Sequence, residues 1–183
     1  MLRVNSLVGF GVRRLAVAGY GSESTAWSAS LAGNATGYEN YSSRVRTTGT
    51  LAAGGDQIRV RFVASTAGSF SCDNCSIGIS AGANDNTTAT PVELLFSGSS
   101  GFTISAAGTL VSDWVNLTTT TSDDVVVIMD KSSTNGNVRY SVSGAGVHHT
   151  SSSANSYNVI APGYSASGLA LFGFDLIEVR SAL

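Results

Sequence analysis

Two cysteines three residues apart, Cys72 and Cys75, two adjacent histidines, His148 and His149, and a scatter of carboxylates are the residues whose types could do chemistry in this chain. A C-x-x-C pair can be half of a zinc site, a redox motif or a tight local disulfide. Zinc needs four ligands, and the histidines sit in a Ser/Gly-rich stretch with no second C-x-x-C, so no metal site is expected. A thioredoxin-type motif belongs at a helix N-terminus after a βαβ strand, which this region does not offer. Two free thiols, or a short disulfide closing a turn ahead of Ile77-Gly78-Ile79, are the readings left open.

The carboxylates give Asp123 with Asp124, or Asp113 with Asp130, as conceivable glycosidase pairs. Neighbours on a strand point to opposite faces, so Asp123 and Asp124 cannot act on one bond, and acids at strand ends ordinarily solvate turns. No cofactor is expected. Aromatic residues offer a binding surface instead: Trp27, Tyr38 and Tyr41 lie in a polar, irregular stretch, where flat rings either stack on a sugar or pack beneath loops.

These residues must be positioned by strands. Ile58-Arg59-Val60-Arg61-Phe62-Val63 alternates, with Ile58, Val60 and Phe62 inward, and Phe102-Thr103-Ile104-Ser105 alternates likewise. Asp124-Val125-Val126-Val127-Ile128-Met129-Asp130 is apolar between its carboxylates and β-branched, the mark of a central strand buried on both sides. In the run from Val111 to Leu117, Trp114 points away from Val111, Val115 and Leu117, as an outer-face aromatic or at a bulge. The stretch 131–136 reads as a turn, 144–156 as a loop, Tyr157 to Ile160 as a short strand, and 169–180 as a final strand in the middle of a sheet. No helix and no repeat period is found. About ten short strands in 183 residues predict an all-β, two-sheet antiparallel β-sandwich of jelly-roll type.

Charged residues make up only 12% of the chain, with a single lysine, Lys131, so solubility must come from Ser, Thr, Asn and Gly. The net charge of −2 argues against a nucleic-acid binder, and no run reaches the roughly 20 apolar residues of a membrane-spanning helix. Arg13 and Arg14 interrupt the apolar opening, which argues against a secretory leader. Residues 1–20 hold three of the nine arginines, no acid, and apolar side chains separated by glycines. Either they form an edge strand or frayed end, or they are an extended arm that orders against another subunit. The arm is the expectation, with Leu7, Val8, Phe10, Arg13 and Arg14 at the assembly interface and residues 21–183 as the sandwich.

The segments GDQIRVRF, TPVELLFSG, GFTI, AGTLVSDWVNL and DDVVVIMD, between Gly55 and Asp130, resemble the jelly-roll accessory domain of SGNH-type esterases. They are more similar still to small virion structural proteins of tailed bacteriophages, of decoration or fibre type. Gly9-Phe10-Gly11 resembles the short peptide with which such proteins often begin. The esterase chemistry does not carry over. That family needs a Gly-Asp-Ser turn, and Gly55-Asp56-Gln57 places an amide where the nucleophilic hydroxyl would have to be. The resemblance implies a non-enzymatic subunit of a phage particle (capsid decoration, fibre or tail), located in the virion. It would contact other virion proteins and form a homo-oligomer, a trimer before other symmetries. The alternative, from another class, is a carbohydrate-binding module that recognises host surface glycans through Trp27, Tyr38 and Tyr41.

Overall fold

Alternation builds the first sheet. The computed structural model describes residues 19–39, 41–47, 49–82, 86–141, 146–151, 157–160, 166–168 and 171–183. In Gly55–Val63 the side chains of Ile58, Val60 and Phe62 are completely buried while Arg59 and Arg61 turn outward, as a strand with one wet face requires. Its antiparallel neighbour Phe174–Arg180 sets Ile177 opposite Val60 and Val179 opposite Ile58, so the inner rows are apolar throughout. On the outer face Glu178 stands opposite Arg59 and accepts from its Nε at 2.8 Å. A register shift between Phe174 and Leu176 presents Asp175 to Arg61, whose Nε and an Nη bond the two carboxylate oxygens at 2.8 and 2.9 Å. Ser24–Ser28 flanks Phe174–Arg180, while Thr109–Val111 and Val115–Thr119 flank Gly55–Val63, completing five antiparallel strands.

The second sheet has seven strands and is organised around Val125–Gly136, which lies between Ser42–Thr47 and Phe70–Ile79. Val125, Val127 and Met129 face inward and join Ile58, Val60, Phe62, Ile177 and Val179 in one hydrophobic core, so the two sheets form a sandwich. Phe62, Phe70, Phe96 and Phe102 meet in that core with ring centroids 4.7–5.6 Å apart, in edge-on and tilted contacts. Val126 and Ile128 face the other way and are completely buried too. A three-stranded sheet and a two-stranded hairpin complete the architecture, and no helix occurs among the described residues.

Several local expectations are corrected. Residues 131–136 continue the central strand through register shifts instead of turning, with Asn135 left-handed at φ 61°. Cys72 and Cys75 lie inside the ten-residue strand Phe70–Ile79, not in a turn before it. Part of the expected 144–156 loop is the strand Gly146–Ser151, paired with Ser42–Thr47 and carrying His148 and His149. Residues 157–160 form a turn and not a strand, because their backbone groups are taken by side chains of the sheet beneath. The last strand is interrupted at Gly173, whose φ of 73° suits glycine, and resumes as Phe174–Arg180 between Ser24–Ser28 and Gly55–Val63. Trp114 is an outer-face aromatic, held between the guanidinium groups of Arg59 and Arg180, each 4.4 Å from its ring.

Val125, Val127, Phe62 and Ile104, the core residues anticipated from alternation, are all buried. Truncating Val127 to alanine should cost roughly 2–4 kcal/mol through lost burial and an unfilled cavity, read as a lower urea midpoint at unchanged slope. An unchanged midpoint would remove Val127 from the core.

Candidate functional site

Asp130 pairs with Asn74 and Lys131 with Cys72, so Asp73 has no partner across the ladder and forms a bulge. In a regular strand, residues three apart point to opposite faces. The extra residue cancels that difference, and Cys72 and Cys75 are both buried in the core while Asp73 is pushed into solvent. Both thiols are free. Burial pushes the Cys75 thiol well up, reinforced by its hydrogen bond with Cys72, which keeps it protonated and unreactive. The described residues contain no group of three or more His, Cys, Asp or Glu arranged to hold a metal.

Beside the thiols the chain buries its only lysine. Lys131 is wholly enclosed, donates to the Ser43 hydroxyl, and places its ammonium 5.8 Å from the centroid of the Tyr38 ring. Burial lowers its pKa to about 8, against the opposing pull of Cys72, Cys75 and Asp130. Asp130, equally buried, accepts from the Ser42 hydroxyl and, at 3.1 Å, from the Tyr157 backbone N–H. Tyr38 packs 5.9 Å from Tyr41, and its phenol pKa is raised by burial first and then by Tyr140 and Tyr41.

The aromatic residues that composition suggested for glycan contact do not share a surface. Trp27 is half-buried on an edge strand of the first sheet, its ring 5.6 Å from Phe174. Tyr38 and Tyr41 pack by the second sheet, where the Tyr41 carbonyl accepts from the Lys131 N–H. The structure thus assigns Trp27 to packing. Leu7, Val8, Phe10, Arg13 and Arg14 lie outside the described residues.

The candidate carboxylate pairs are spent on structure. Asp123 caps its turn by accepting from Thr120 N at 2.7 Å and Thr120 Oγ1 at 3.0 Å. Asp113 accepts from Gly98 N at 2.7 Å, and Asp124 lies 3.9 Å from Arg46. Gln57 is held by Asn116 at 2.7 Å and Arg180 at 2.9 Å on the outer face. Gly78-Ile79-Ser80-Ala81-Gly82 spells G-x-S-x-G, a pattern whose chemistry requires a strand–turn–helix. Here Ser80 leaves a strand for a plain turn, and its Oγ accepts from Gly82 N at 3.0 Å.

What the sequence did not reveal is a cleft of about 480 Å³ beside the bulge, lined by residues from 71–73, 100–103 and 134–135. Gly101, at φ 69°, closes one wall. A Cβ there would stand 2.5–2.6 Å from the carbonyl oxygens of Asp73 and Cys72, so only glycine allows the approach. Ser71 and Thr103 share a hydrogen bond of 2.9 Å, and Asn135 Nδ2 donates to Ser71 at 3.3 Å. At the rim Ser100 donates to Glu93 at 2.5 Å. Asp73 is exposed and is the one described acid without a hydrogen-bond or ion-pair partner; Glu23, Glu39, Asp56 and the rest are all engaged. Three separated segments meet here, and only the polar Asp73-Asn74 pair inside an otherwise apolar strand hints at it in the sequence. A second depression, about 510 Å³, is lined by Leu31, Arg139 and Asp175 among others, but Asp175 is already bound to Arg61 and Arg139 to the Leu31 carbonyl.

No protein-family model matches this chain, and no match to it is found among curated proteins.

The buried ammonium has a consequence for stability. A lysine pKa near 8 in the folded state, against 10.5 when exposed, means that the unfolded chain binds the extra proton between those values. Stability associated with Lys131 is therefore present above pH 10.5 and lost as pH falls through 8, a difference of about 3 kcal/mol. Lys131→Met should be more stable than the natural chain at pH 7, by about 1–3 kcal/mol, with the gap narrowing toward pH 10.5. Denaturant titrations of the two proteins from pH 7 to 10.5 measure this, and a gap independent of pH would refute it.

Proposed function

We propose that this chain is a non-enzymatic structural subunit of a tailed-bacteriophage particle, a jelly-roll domain of decoration, fibre or tail-associated type. It assembles through residues 1–20 into a homo-oligomer, a trimer before other symmetries. The observation that carries this reading is how its reactive groups are used. The acids that could serve a hydrolase are consumed in caps, ladders and the buried polar cluster, and the outer face of the first sheet is a closed set of pairs: Arg59 with Glu178 and Glu23, Arg61 with Asp175. Such a surface suits a packed shell of neighbouring subunits, where unpaired charge would be desolvated at a cost. The root of the proposed arm is apolar as well: Tyr20 bridges to Ala182 next to Leu183, which is 88% exposed.

A second reading, recognition of a surface glycan, is favoured by the polar cleft at Asp73 and not by the Trp27, Tyr38 and Tyr41 set.

Deleting residues 1–14 tests the first reading. The truncated protein should remain folded and soluble, with the circular dichroism of a β-protein, yet sediment as a monomer and fail to join particles. If the deletion unfolds the domain, these residues are an ordinary part of the sandwich and the arm is refuted.

A further inference from the structure

We infer that the cleft beside the Asp73 bulge binds a neutral saccharide directly, without a bridging cation. The inference rests on the glycan-recognition reading and names the site and ligand class for it. It begins from the unpartnered carboxylate. In a chain where every other described acid is bonded, Asp73 is held out by a bulge, at the mouth of a cleft, with nothing to accept from. Bulges re-aim side chains and recur next to sites.

The lining selects the ligand. Thr103 offers a hydroxyl, Ser100, whose proton goes to Glu93, offers an acceptor oxygen, and Asn135 donates from Nδ2 to Ser71 and keeps its Oδ1 for an incoming donor. A carboxylate can accept from two neighbouring hydroxyls of one sugar ring, the pairing that apolar ligands cannot provide. The half-buried Phe102 ring supplies an apolar patch for the C–H face of the same ring. Anions are disfavoured, since Asp73 and Glu93 both lie at this end and the nearby cation, Lys131, is enclosed beneath Cys72. The volume falls within the roughly 300–1,000 Å³ of small-molecule sites. Rigidity is built in: Gly101 locks against the Asp73 carbonyl, and Asn135 is fixed in a left-handed conformation by its bonds to Ser71 and Thr134.

The test is an amide NMR titration of the full chain with glucose, galactose, mannose and N-acetylglucosamine, with glucuronate and calcium chloride as controls. At least one neutral sugar should shift the amides of Asp73, Gly101 and Asn135 with millimolar affinity. Asp73→Asn, at an exposed position, and Asn135→Gly, which tolerates the same φ, should each weaken it about tenfold or more. Glucuronate should bind more weakly than glucose. Sugar binding that survives both substitutions would leave glycan recognition standing and overturn this site. No shift with any sugar would overturn both. Shifts at the same amides with calcium alone would overturn direct recognition in favour of a cation.

Discussion

A strand segment that is apolar on both faces cannot border water, and residues 125–129, which open the central strand, are such a segment. One face is met by the first sheet. The other, presenting Val126 and Ile128, is met by the irregular stretch 157–160, whose backbone polar groups must be satisfied there. The solution lies in one row across three strands, where Arg44 and Ser76 flank Ile128. Arg44 donates to the carbonyls of Val159 and Ile160, at 2.8 and 3.3 Å, and Ser76 to that of Tyr157. Asp130, one row along on the same face, accepts from the Tyr157 N–H. Buried polar residues here are the clasps of a strap, and the full burial of Arg44, Ser76 and Asp130 follows from that duty.

The first sheet solves the opposite problem. Its outer face stays wet, and order comes from pairing. Arg59 lies against Trp114 and bonds Glu178 and Glu23, and Arg180 is stacked between Trp114 and Tyr20, 4.1 Å from the latter ring. Each exposed ion pair contributes little by itself. Stacked and bonded together, they hold long side chains flat along the sheet and cover apolar surface with their methylenes. Few charges therefore suffice for this face.

How much of this was legible in the sequence depends on distance along the chain. Ile58, Val60 and Phe62 announced their strand because alternation is local, and the run Val125 to Met129 announced a two-sided burial because β-branched residues without a polar face have no other place. The Asp73 bulge was illegible: one extra residue shows only against a partner strand, and it alone decides that Cys72 and Cys75 share a side. Lys131 read as the start of a turn because a lysine after an apolar run ordinarily reaches water; its partners, Ser43, Tyr38 and the thiols, come from far along the chain. The turn at 157–160 looked like a strand because Tyr157, Val159 and Ile160 are β-prone. Arg44, more than a hundred residues earlier, overrides that preference by occupying the carbonyls a ladder would use. The cleft was hidden for the same reason, being assembled from three separated segments.

The enclosure of Lys131 reaches beyond folding. It is the only lysine in the sequence, so the folded protein offers no side-chain primary amine to its surroundings. Acetyl, methyl and ubiquitin-like marks written on lysine find no substrate side chain on the intact domain, and aldehydes that link neighbouring proteins through lysines have nothing on it to grip. The side-chain cations on the outer face of the first sheet, Arg59, Arg61 and Arg180, are guanidinium groups, fixed in charge across the biological pH range. No lysine side chain is open to amine-directed reagents for as long as the domain stays folded, and labelling of that one ε-amine would report its opening.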